Sequence, residues 1–145
     1  MHWATNYIGI PWVFGGRDIL NDGGVDCYGF FKYIQKTYYG VTTDEVIIDE
    51  YNHRNVIKTF DTASEFKNWR AVDTPRDGDA VLLRTAKYPS HIGVWLDNGD
   101  DVKGVLHCVE MTGVVYTNIT SLELAHHWRI ASYYRHTTKG NINDK

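Results

Sequence analysis

At 145 residues, 43% of them hydrophobic, the chain has material for one compact core and too little for two. Its net charge of −3, with lysine and arginine scattered along the sequence, excludes the basic footprint of a nucleic-acid or anionic-membrane binder. Two cysteines exclude a disulfide scaffold, and no run approaches the roughly 20 apolar residues of a membrane span.

The opening MHWATNYIGIPW lacks the charged start and apolar run of a signal peptide, so synthesis in a cytoplasm without an export signal is expected. Residues 2–8 read as a short helix stopped by Gly9 and Pro11. The glycine-rich stretch PWVFGGRDILNDGGVD that follows reads as an irregular loop. From Cys27 onward Phe30, Phe31, Ile34 and Tyr38 recur at helical spacing, with Asp26 as N-cap and Gly40 as the terminator. Residues 41–75 carry the weakest pattern. Thr62 with Glu65 resembles a capping box opening a helix through Trp69, and VIIDEYNHRNVI reads as a helix or an irregular excursion.

PRDGD at 75–79 is turn chemistry, after which strands are expected at 80–84, 91–97, 105–111, 114–119 and 129–135. SLELAHHW between the last two reads as a helical turn, and the polar 136–145 as a loose tail. The expected fold class is α+β: N-terminal helices packed on one antiparallel sheet of about five strands, in a single domain over residues 1–135.

Cys27 stands where a glycine loop meets a helix. There the unpaired N–H groups and the positive end of the helix dipole favour thiolate over thiol. Its own backbone N–H is also placed to hold an oxyanion. The alternative is a small apolar side chain packed beneath the helix, which is the reading given to Cys108.

A thiolate needs a proton acceptor, and the acceptor needs a group to orient it. His91 opens one expected strand and His107 lies within the next. Alternation puts Cys108 on the opposite face from His107. Because cross-strand partners keep a constant index sum, the two histidines share a face only if that sum is even. A two-residue turn at Asn98-Gly99 gives an odd sum, so a loop of odd length in DNGDDVKG, or a bulge, is expected. His126 and His127 are adjacent and splay apart, with no cysteine or carboxylate at ligand spacing, so neither a metal nor a cofactor is expected. His2, His53 and His136 read as solvated.

Taken together, IPWVFGGRD, GGVDCYGFF, GDAVLLR, HIGVWLD and VLH with TGVV downstream resemble the NlpC-type cysteine peptidases, which have a permuted papain-like fold. The likeness runs from about Gly9 to Arg135. It implies cleavage of amide bonds in bacterial peptidoglycan stem peptides, with Cys27 as nucleophile, His91 as general base and His107 orienting His91. It implies that Trp12, Asp26 and Tyr28 serve the oxyanion or the substrate, with Trp12 standing where the family usually has a tyrosine. Tyr28 and the WRIASYYR segment are similar to members carried by phage tails, which implies a peptidoglycan substrate, tail-protein partners and a place in the virion. Two rivals are weighed beside this reading. One is a thiol amidase or acyltransferase with another substrate. The other is a structural tail protein that has lost turnover, favoured by Trp12 and opposed by the joint presence of Cys27, His91 and His107.

Overall fold

The computed structural model describes residues 2–43, 68–84, 91–125 and 128–137. A short 3-10 helix, Trp3–Asn6, is capped by His2, whose Nδ1 accepts from the Ala4 N–H at 3.1 Å. His2 is thus a capping group and not a merely solvated ring. Helix α1 runs Cys27–Tyr39 and ends at Gly40, which takes the left-handed conformation (φ 67°) that glycine adopts without penalty.

The sheet has six strands against the five expected. They are β1 (Trp69–Val72), β2 (Ala80–Arg84), β3 (His91–Asp97), β4 (Lys103–Val109), β5 (Gly113–Asn118) and β6 (Arg129–His136), in spatial order β1-β6-β2-β3-β4-β5 with every pair antiparallel. The additional strand is β1. Only Trp69 of its four residues is buried, so WRAV offers no alternation to read. Trp69, expected to end a helix, opens this strand instead, while Thr62, Glu65 and VIIDEYNHRNVI lie outside the described residues. Helix α2 (Ile119–Ala125) occupies the expected helical turn. β6 reaches His136, whose ring stands edge-on to Trp69 with centroids 5.1 Å apart. His136 therefore belongs to the sheet and not to a tail.

Alternation divides the core between the two faces of the sheet. Even-numbered residues, among them Leu82, Ile92, Val94, Leu106 and Cys108, pack with Phe30, Phe31 and Ile34 of α1. Odd-numbered residues Val81, Leu83, Trp95 and Val105 pack with Leu122 of α2 and with Trp128. Cys108 is buried on the α1 side, where its thiol donates to the Val25 carbonyl at 3.2 Å.

The 75–79 turn ties the helix to three strands. The Gly78 carbonyl accepts from Gln35 Nε2 (2.8 Å), and Asp77 accepts from the Tyr39 hydroxyl (2.9 Å) and from the Asp97 N–H (2.8 Å). Asp79 accepts from the Arg76 N–H (2.8 Å) and from both Nε (3.0 Å) and Nη2 (2.7 Å) of Arg135 on β6. Asp79 and Arg135 are both buried, so this is a desolvated bidentate pair.

Candidate active site

Cys27 is the first residue of α1 and is 1% exposed. The turn beneath it is fixed by Asp26, whose Oδ1 accepts from the Gly29 N–H at 2.7 Å while its carbonyl accepts from the Phe30 N–H at 3.0 Å. A bare carboxylate beside the thiol would oppose thiolate formation. Arg17 offsets it through an ion pair of 2.6 Å to the same Oδ1. Cys27 thus stands at the positive end of the helix dipole, beside a carboxylate that carries its own counter-ion.

The loop before α1 is held against it by Trp12, which pairs with Val25 in a parallel bridge and is half-buried. Tyr28, expected at a substrate surface, is instead 1% exposed, with its ring stacked on Phe31 at 6.0 Å and the Arg17 guanidinium 5.6 Å from its centroid. The helical face that carries Phe31 draws Tyr28 into the core. Asp26 is likewise buried, at 1%, and is engaged as a cap.

The hairpin of β3 and β4 pairs Val94 with Leu106 and Asp97 with Lys103, an even index sum. Residues 98–102 are left as a five-residue loop, closed by the Asn98 N–H to the Val102 carbonyl at 3.1 Å. The length is odd, as a shared face for the two histidines requires. His91 Nε2 and His107 Nδ1 are 2.8 Å apart, and both rings are buried.

The residues are diagonal across the ladder rather than opposite, and Gly93 explains how the rings meet. A Cβ at Gly93 would lie 2.5 Å from Val105 Cγ1 and 3.0 Å from His107 Cβ. The missing side chain leaves the room over which the His107 ring leans toward His91. This gives the H-x-G spacing of HIGVWLD a physical reason.

Two residues that sequence reasoning missed complete the cluster. On β5, Thr117 Oγ1 is 3.1 Å from His107 Nε2. Thr117 pairs with Val105 and is diagonal to His107, so the signal lay in the parity of a register that the sequence does not display. Trp128 stacks on His91 with centroids 4.8 Å apart and planes at 25°, and stands edge-on to His107 at 6.3 Å. It stands just before β6, at the head of the WRIASYYR segment, where no strand alternation marks its contact with the histidines. Burial pushes the His91 imidazole down from 6.5 to about 3, so the ring is neutral at ordinary pH. A neutral imidazole is the form that accepts a proton.

The structure thus brings His91, His107, Thr117 and Trp128 together on the odd-numbered face. Cys27 belongs to the core on the α1 face, and His91 is the first residue of β3.

No curated protein matches the sequence. Among solved structures, the fold is similar to the crystal structure of the NlpC/p60 domain of peptidoglycan hydrolase SagA, with a TM-score of 0.56 and 19% identity over 91% of this chain and 92% of that one. At that identity the likeness carries the fold alone, which is the papain-like α+β architecture. No described helix is long and apolar enough to cross a membrane. The model of the NlpC/P60 family matches residues 9–131, and with the loop, α1 and the histidine hairpin all inside that span, the chain belongs to the NlpC/P60 family.

Proposed function

We propose that the protein is a cysteine-dependent hydrolase of bacterial cell-wall peptidoglycan, cutting amide bonds of the stem peptides. The observation that carries this reading is the buried hydrogen bond between the imidazoles of His91 and His107, in a chain of the NlpC/P60 family. The similar SagA domain comes from a peptidoglycan hydrolase, which supports the choice of substrate.

In the proposed reaction the Cys27 thiol gives its proton to His91 Nδ1, and the sulfur attacks the amide carbonyl carbon. The resulting oxyanion is held by the backbone N–H of Cys27, with the Trp12 indole N–H as a second donor. His91 then returns the proton to the departing amine, leaving a thioester. Water attacks the thioester with His91 again as base, which frees the acid product and restores the thiol. His107 orients His91 through the Nε2 contact. The thiol and His91 Nδ1 have to meet at the N-terminal end of β3.

The test is release of soluble peptide and new amino groups from purified Gram-negative and Gram-positive sacculi, comparing the wild type with Cys27→Ala and identifying fragments by mass spectrometry. Release that disappears in the variant supports the reading and names the bond. No release from either sacculus, with a thiol alkylated no faster than a model peptide thiol, overturns it in favour of a scaffold that has lost turnover. A phage-tail placement is a further part of the proposal, supported by the resemblance at Tyr28 and WRIASYYR. Detection of the chain in purified tailed particles tests it, and its absence from them rejects it.

A further inference from the structure

The chain of ring contacts does not stop at the histidine pair. His91 Nε2 meets His107 Nδ1 at 2.8 Å, and His107 Nε2 meets Thr117 Oγ1 at 3.1 Å. Thr117 is 6% exposed, so bulk water does not compete freely for its hydroxyl. A neutral imidazole carries one N–H and one lone pair, and each contact in such a chain needs one of each. Choosing the proton position at one end therefore fixes every ring in between.

With both rings neutral, only two senses satisfy both contacts. In the first, His107 Nε2–H donates to Thr117, His107 Nδ1 accepts from His91 Nε2–H, and His91 Nδ1 is left with a lone pair. In the second, the Thr117 hydroxyl donates to His107 Nε2, His107 Nδ1–H donates to His91 Nε2, and His91 carries its proton on Nδ1, where it has no capacity to act as a base. The imidazolium form of His91 has N–H groups at both positions, so it fits the first sense without any change in His107 or Thr117. The second sense would require the whole chain to reverse whenever His91 took up a proton.

We infer that Thr117 is a positioning residue that accepts a hydrogen bond from His107 and thereby holds His91 in the tautomer whose Nδ1 is free to take a proton. This rests on the proposed function in naming His91 as the base; the tautomer assignment itself does not depend on turnover. The terminal group of the relay is then a neutral hydroxyl and not a carboxylate, so it selects a tautomer without contributing a counter-ion.

The experiment is long-range proton–nitrogen NMR correlation on the full 15N-labelled chain at neutral pH, read together with peptide release from sacculi. The wild type is expected to show His91 and His107 both as Nε2–H tautomers. Thr117→Val, which keeps the shape and removes the acceptor, is expected to lose the single His107 tautomer and to lower kcat about tenfold, the scale of one neutral hydrogen bond. Thr117→Ser is expected to restore both. His107 found as Nδ1–H in the wild type overturns the inference without any variant, so it stays testable even if Thr117→Val does not fold. Unchanged tautomers in Thr117→Val overturn it as well. The expected tautomers in a wild type that releases no peptide would reject the proposed function while supporting the role of Thr117.

Discussion

Replacing Arg135 with methionine isolates the contribution of the buried pair beneath the 75–79 turn. Asp79 would lose its contacts with Nε at 3.0 Å and Nη2 at 2.7 Å, the Thr74 carbonyl would lose Nη2 at 3.2 Å, and only the Arg76 N–H would remain on the carboxylate among these partners. The side chains are 5% and 1% exposed, so water does not readily take the place of the guanidinium. Removing one member of a buried pair costs about 3–5 kcal/mol, because the other charge stays desolvated. With a urea dependence of about 1–3 kcal/mol per molar for a small domain, the midpoint should fall by roughly 2 M. Urea unfolding followed by tryptophan fluorescence and by circular dichroism reads this directly. The double variant Asp79→Leu/Arg135→Met should recover much of the loss, since no charge is then stranded. A single-variant cost below about 1 kcal/mol, or a double variant no better than the sum of its singles, would refute the reasoning.

Acid sensitivity should trace to His91. Its ring is held near 3 when folded against 6.5 when free, so the unfolded chain gains a proton that the folded one refuses, and stability falls as pH drops through that window. The slope due to this one group is about 1.4 kcal/mol per pH unit; His91→Asn should flatten the acid limb of a urea-midpoint profile, and equal limbs in both proteins would reject the assignment. Gly93→Ala should destabilise by about 1–3 kcal/mol through overpacking against Val105 and His107. NMR of that variant should show the His91–His107 hydrogen bond lost, and an intact bond would contradict the role given to the missing side chain.

How much the sequence disclosed varied with how local the cause was. Helix α1 was legible because its cap, its apolar spacing and its terminal glycine are all within one stretch of chain. β2, β3 and β6 were legible from their residue types, and the loop parity followed from requiring two histidines on one face. β1 was not, since a four-residue strand with one buried residue borrows its stability from β6 rather than from its own pattern. Gln35 sits on the apolar face of α1 and is fully buried, explained only by the Gly78 carbonyl it reaches across 43 residues of sequence. Tyr28, next to the cysteine, was expected to serve the oxyanion or the substrate, and its burial depends on Phe31 and Arg17 closing over it. Thr117 and Trp128 were invisible for the same reason, because contacts between strands and across layers are properties of a register and a packing, which no single segment encodes.

The five-residue loop 98–102 and the strands it joins bear on the site differently. A residue added within the loop leaves Asp97 opposite Lys103 and moves no side chain of β4 to the other face, because the buried sides of both strands set the register. A slip of β4 by one residue against β3 is another matter: it would turn His107 away from His91 and bring Leu106 or Cys108 to that side. The chemistry of the buried face is therefore guarded by the pairing of the two strands and not by the length of the exposed connection.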